Sequence, residues 1–330
     1  MRRILAATAA LCLTAGGSSS LAYLKLGAIV NGRVVDATWH QQPIGFFIST
    51  RDGSGATAAE LRGAVERAAA TWSSAEPASV RLQFQGMTNA LAEGADGLNT
   101  IGFLARPDLD RVLALTSVMV DSATGAIYEA DIVINTSFAF SVAPGGQPGR
   151  VDLESVALHE LGHFLGLGHS AIGETEITGG GTRRVTGHGA VMFPIALSAG
   201  TIAERVLQAD DIAGVSDLYP TGAVAFETGG IVGRITKNGQ GVRGAHVIAF
   251  NPETGVLIGG FSQGAAGDFV IARLPPGAYI LRAEPLDDAD PSNYFPHPVD
   301  TDFRVTYAPR MVAAPKGGAS PPIEIRVLPR

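Results

Sequence analysis

Apolar positions along the chain recur with two different periods, and the change of period divides it. In the first two thirds, strand-like and helical patterns interleave. Ile44, Phe46 and Ile48 alternate with their neighbours within 38–50 and predict a strand. Leu61, Val65, Ala68 and Trp72 recur at three- and four-residue spacing and predict an amphipathic helix over 57–74. Val80, Leu82 and Phe84 alternate again, and 99–104, 112–120 and 125–135 read as further strands, the last an edge or near-edge strand. A Pro/Gly loop at 143–149 precedes a helix capped by Asp152 that runs through Val156, His159 and His163. The stretch 171–189, rich in Gly and Thr, reads as a loop. A helix over 207–219 carries Asp210 and Asp211 in its first turn, where they favour the helix dipole, and buries Ile212, Val215, Leu218 and Tyr219.

Pro220 stops that helix, and 221–230 marks a domain boundary. Beyond it every pattern has period two. Strands are predicted at 231–236, 245–250, 268–272, 279–284 and 323–328, where Ile323, Ile325 and Val327 face one way and Glu324 and Arg326 the other. Asn238-Gly239, Glu253-Thr254-Gly255, Gly267-Asp268 and Pro275-Pro276-Gly277 supply the turns. The expected fold class is α+β, a twisted mixed sheet with three main helices followed by an all-β sandwich. The expected domains are 1–22, 23–222 and 223–330.

The chain of 330 residues is 46% hydrophobic and 17% charged, enough for packed cores in two domains. Its net charge of −7, without a clustered basic patch, argues against nucleic acid as a partner. Arg2 and Arg3, the apolar run 4–14 and the small residues of Ser20-Leu21-Ala22 read as a secretory signal, cleaved after Ala22. The protein is therefore expected to be secreted, to the medium or to a periplasm, with no permanent membrane span. Cys12, the only cysteine, lies within that signal, so the mature chain would have no disulfide and no thiolate ligand.

Chemistry concentrates in His159-Glu160-Leu161-Gly162-His163-Phe164-Leu165-Gly166-Leu167-Gly168-His169. His159 and His163 stand one turn apart on one helix face, a spacing suited to a single Zn²⁺. Gly166 lets the chain leave the helix so that His169 supplies a third ligand. Three ligands leave a position for water, the pattern of a catalytic site, and Glu160 is placed to act on that water. His188 reads as a solvated loop residue. Calcium gains no support: Asp131 reads as a capped turn or a solvent-facing carboxylate, and Asp287, Asp288 and Asp290 as a solvated acidic loop.

The segment 159–170 with Met192 resembles the metzincin zinc metalloproteases. Ser170, 207–220 and 151–160 are most similar to the matrixin branch. The resemblance, over about 40–220, implies that His159, His163 and His169 bind one catalytic zinc, that Glu160 is the general base, and that Met192 forms a hydrophobic turn beneath the metal. It implies a secreted metalloendopeptidase acting on protein or peptide through zinc-bound water. With no propeptide-length region after the signal and no mature cysteine, cysteine-switch latency is not expected. His40 alone precedes the zinc helix, so no second zinc is expected, and 193–196 offers no extra tyrosine ligand. Residues 229–284 resemble carboxypeptidase regulatory-like domains, prealbumin-like sandwiches, which implies a stability, positioning or adhesion role, with a surface or another protein as partner. Two other readings stay open: a cell-surface binding or adhesion protein with a non-catalytic metzincin-like domain, and a zinc hydrolase of cell-wall peptides.

Overall fold

The computed structural model describes residues 25–30, 33–179 and 183–330. The expected signal at 1–22, with Cys12, lies outside the described residues. A hairpin of β1 (Gly27–Val30) and β2 (Arg33–Asp36) opens the chain where the sequence pattern suggests only a lead. The main sheet follows: β3 (Thr38–Trp39), β4 (Ile44–Ser49), β5 (Leu82–Thr88), β6 (Thr100–Leu104), β7 (Ala114–Val120) and β8 (Ala126–Asn135). β5, β4, β6 and β8 lie side by side and parallel. β7 pairs antiparallel along β8, making β8 the near-edge strand. Parallel neighbours need a crossover, and α1 (Ala58–Ser73) provides it between β4 and β5. Thr57 and Glu60 close a capping box at its start.

The helix α1 lays Leu61, Val65, Ala68 and Trp72, each at most 1% exposed, against Ile44, Phe46 and Ile48 of β4. Short strands β9 (Phe140–Ser141) and β10 (Val151–Asp152) lead into α2 (Leu153–Phe164). The Trp72 indole donates to the Leu158 carbonyl at 2.8 Å, pinning α1 to α2 across the core. The stretch expected to be a loop at 171–189 forms a hairpin, β11 (Gly173–Ile177) and β12 (Arg183–His188). Alternation there is hidden by the high Gly and Thr content. α3 (Ala209–Leu218) and the short α4 (Val224–Glu227) follow.

The remainder is β. Strands β13 (Gly229–Lys237), β14 (Gln240–Gly241), β17 (Asp268–Leu274) and β21 (Ile323–Val327) make one sheet. Strands β15 (His246–Phe250), β16 (Leu257–Phe261), β18 (Gly277–Glu284), β19 (Thr306–Tyr307) and β20 (Val312–Ala314) make the other. β16 escapes the sequence pattern because Gly259 and Gly260 interrupt its apolar run. Asn238 (φ 52°) and Gly239 (φ 79°) form the two-residue turn from β13 to β14. Ile231, Ile235, Phe269 and Ile325 of the first sheet share one buried cluster with Val247, Tyr279 and Leu281 of the second.

Ala213 of α3 belongs to that cluster as well, so the last helix of the first part is packed against the strands that follow. Arg273 donates to Asp217 at 2.9 Å across the same junction, and Lys25 bonds both Asp36 and Asp217. Among the described residues no helix is long and apolar enough to cross a membrane.

Candidate metal centre

Local signals start α2 where it is needed. The Asp152 carboxylate accepts from Ser155 N–H at 2.9 Å and from the Arg205 guanidinium at 2.5 and 2.9 Å. Burial would raise its pKa, but the bonds from Arg205 and Ser155 hold it below the ordinary value. Tyr219 donates to the Leu165 carbonyl and the Trp39 indole to that of Phe164, so the carbonyls freed at the helix end are satisfied. Gly166 then takes φ +98°, and a Cβ there would fall 2.2 Å from the Ala37 carbonyl oxygen. The chain turns and brings His169 back to the helix.

The imidazoles of His159, His163 and His169 converge, with ligand atoms within 4.8 Å of one another. Nε2 of His163 lies 3.2 Å from Nε2 of His159 and 3.2 Å from Nε2 of His169. Every Nδ1 faces a backbone carbonyl: Val191 for His159 at 2.7 Å, Leu167 for His163 at 2.8 Å, Asn293 for His169 at 2.9 Å. Carbonyls only accept, so each Nδ1 carries the proton and three Nε2 lone pairs face one point. Lone pairs this close repel unless a cation lies between them. Tetrahedral Zn–N bonds of ~2.0–2.1 Å set ligand nitrogens ~3.3–3.4 Å apart, close to the two separations measured from His163. Burial and the neighbouring imidazoles push the His163 pKa well below its ordinary value. His169, buried and beside His159, is pushed down to about 4. Both rings are therefore neutral near pH 7, as ligands must be.

Glu160, next to His159 on α2, is 6% exposed. Thr116 of β7 donates its hydroxyl to Glu160 Oε2 at 2.5 Å and to the Glu160 carbonyl at 3.1 Å. Burial raises the Glu160 pKa, while His159 and the Thr116 bond oppose the rise. Met192 lies under α2. A Cβ on Gly162 would meet its Sδ at 2.2 Å, so glycine brings the helix into close contact with this side chain. Asp211 holds the turn around Met192, accepting from Val191 N–H at 2.9 Å and Met192 N–H at 3.1 Å. Burial raises the Asp211 pKa to about 7, with Asp210 adding to the rise. Asp210 accepts from the Ser170 hydroxyl at 2.6 Å and from Gly259 N–H at 2.9 Å.

One expectation about these carboxylates needs correction. Asp131 is neither a turn cap nor solvent-facing: it is 1% exposed within β8 and accepts from Thr100 N–H at 2.8 Å. The acidic stretch at 287–290 is solvent-exposed at Asp287 and Asp290, as expected, and also makes local bonds. Asp288 accepts from Thr175 N–H at 2.7 Å, Asp290 caps a 3-10 turn at Pro291–Asn293, and Asp287 pairs with Arg330. Sequence reasoning also missed Thr116, Arg205 and the Asn293 carbonyl, and read Asp210 and Asp211 only as dipole partners. The first-turn Asp pair was the one available signal, since buried carboxylates at a helix start commonly cap something.

A parallel sheet with one antiparallel edge strand is crossed by a helix bearing two of three convergent histidines, a donor set that fits a zinc ion. Residues 38–178, which contain the three histidines, match the family model of the matrixins, peptidase M10. Three Arabidopsis thaliana proteins are similar over part of the chain. Metalloendoproteinase 5-MMP is 45% identical over 69 residues, 21% of this chain and 14% of that one. Metalloendoproteinase 4-MMP is 40% identical over 75 residues, 22% and 16% of the two chains. Metalloendoproteinase 1-MMP is 42% identical over 76 residues, 23% and 16%. The chain thus matches about one sixth or less of the length of these relatives. The solved Bacillus anthracis TIE protein aligns with a TM-score of 0.21 and 11% identity, over 31% of this chain and 17% of that one, too weak a likeness to carry an argument.

Proposed function

We propose that the chain is a secreted zinc-dependent metalloendopeptidase. The observation that carries this reading is the convergence of three Nε2 lone pairs, each ring fixed by a carbonyl at Nδ1, beside a buried carboxylate. When bound, Zn²⁺ supplies Lewis acidity, polarising the scissile carbonyl and lowering the pKa of a coordinated water to about 7. Glu160 takes the proton of the attacking water and delivers it to the leaving amine nitrogen. Its burial favours the protonated form it must hold between those transfers, and Thr116 fixes which way the carboxylate points. Met192 gives the histidines an apolar floor. Export rests on the signal-like pattern at 1–22.

Residues 23–222 act as the catalytic domain and 223–330 as a β-sandwich of the carboxypeptidase regulatory-like kind. Two sheets sharing one buried cluster support that assignment. The test is cleavage of a diverse peptide library by the zinc-loaded chain, with Glu160→Ala in parallel. Turnover is expected to fall by several orders of magnitude with zinc retained, and near-normal cleavage by the variant would sink the assignment.

A further inference from the structure

Of the three carbonyls that orient the imidazoles, one lies four residues from its histidine, one 32 residues on, and the third 124 residues on. His163 is held by Leu167, four residues on, and His159 by Val191 of the Met192 turn. His169 is held by Asn293, 124 residues downstream and within the C-terminal part. His169 is also the ligand that sits off the helix, on the loop after Gly166, where the helical backbone cannot define its ring plane. We propose that the C-terminal part completes the metal centre: the Asn293 carbonyl is the positioning group for the third ligand.

The turn that carries this carbonyl is built to stay in place. Asp290 caps it through Ser292 N–H at 2.9 Å, and Tyr294 N–H closes it onto the Pro291 carbonyl at 3.0 Å. Tyr294 and Phe295, 1% and 2% exposed, then bury themselves in a cluster with Phe261, Leu286 and Ala171, the last only two residues beyond His169. The Tyr294 ring stands edge-on to His169 with centroids 6.4 Å apart. Two further bonds lock the same junction: Asp288 to Thr175 on the hairpin after His169, and Gly259 N–H to Asp210, which in turn holds Ser170. The residues flanking His169 on its C-terminal side are therefore tied to the later strands at several points. An Nδ1–H bond to a fixed carbonyl settles the tautomer, sets the ring plane and raises the basicity of Nε2. Its loss from a metal site typically costs ~10–100-fold in affinity.

This inference rests on the zinc reading, and the experiment separates the two. Zinc affinity of the full chain is measured by competition with a chromophoric chelator, and the visible spectrum of the Co²⁺-substituted protein is recorded. Tyr294→Ala removes the anchor of the turn, while Phe303→Ala removes a fully buried aromatic in the C-terminal core away from it. Asp290→Ala, an exposed change, loosens the turn without opening a cavity and serves should Tyr294→Ala not fold. Tyr294→Ala is expected to weaken zinc by about tenfold or more and to shift the Co²⁺ bands. Asp290→Ala is expected to do the same to a smaller degree, and Phe303→Ala to leave both readings as in the parent. Unchanged affinity and spectrum in folded Tyr294→Ala or Asp290→Ala, or an equal loss in Phe303→Ala, would overturn the inference. A parent chain that binds no zinc would overturn the zinc reading itself, and this one with it.

Discussion

Asp211→Ala tests whether the Met192 turn beside the three histidines is held by one carboxylate. Its two oxygens accept from Val191, Met192 and Gln208 N–H at 2.9, 3.1 and 2.8 Å, and the residue is 2% exposed. Val191 and Met192 are each 3% exposed, so truncation leaves two buried donors without a partner, while the Gln208 amide, in a half-buried residue, can turn to water. An unsatisfied buried donor costs ~1–3 kcal/mol, which brackets the loss at ~2–6 kcal/mol. Relief from burying a carboxylate with a pKa near 7 offsets part of this, leaving about 3 kcal/mol. For a unit of this size that is a melting shift of ~6–12 °C. The assay is thermal and urea unfolding of the metal-free chain, so that zinc adds nothing to the parent's stability. Zinc titration follows, and affinity is expected to fall too, because the Val191 carbonyl is the partner of His159. Asp211→Asn keeps one acceptor oxygen and is expected to lose less. A loss under ~1 kcal/mol for Asp211→Ala, with zinc affinity unchanged, would refute the account.

Two further outcomes follow from the same reasoning. Gly166→Ala forces a Cβ into a positive-φ position 2.2 Å from a backbone oxygen that cannot swing away, and it disturbs the bond from Leu26 N–H to the Gly166 carbonyl. It is expected to cost at least ~2 kcal/mol and to weaken zinc binding through His169; unfolding and calorimetric titration check both, and parental values in each would refute it. Asp131 has a folded-state pKa near 7 because it is buried and faces Glu129, Asp96 and Glu93. The native chain thus keeps a proton that the unfolded chain releases near pH 4, and the associated stability, full below that, is lost as pH rises through 7. Asp131→Asn should therefore gain on the parent between pH 4.5 and pH 8 in paired melting curves. Equal differences at the two pH values would show that Asp131 does not titrate as stated.

What could be read from the sequence was whatever depends on near neighbours. The i, i+4 spacing of His159 and His163 sets both rings on one face of any helix that contains them, and Asp152 caps that helix through Ser155. Asn238-Gly239 specifies its turn because few other residues tolerate positive φ twice in succession. The alternation of Ile44, Phe46 and Ile48 identified a strand with one buried face. Tertiary structure decided what passes between distant segments or through groups that carry no residue identity. The Asn293 carbonyl is chemically the same whatever side chain residue 293 bears, so no sequence pattern could mark it. The Thr116 hydroxyl reaches Glu160 only because β7 pairs along β8 and crosses beneath α2. Asp131, in a stretch that would suit a surface carboxylate, is instead buried and accepts from Thr100 N–H at the start of the neighbouring β6. Local spacing marked the histidines of this cluster; long-range packing determined which way their rings are turned, because hydrogen bonds to backbone carbonyls are made by position alone.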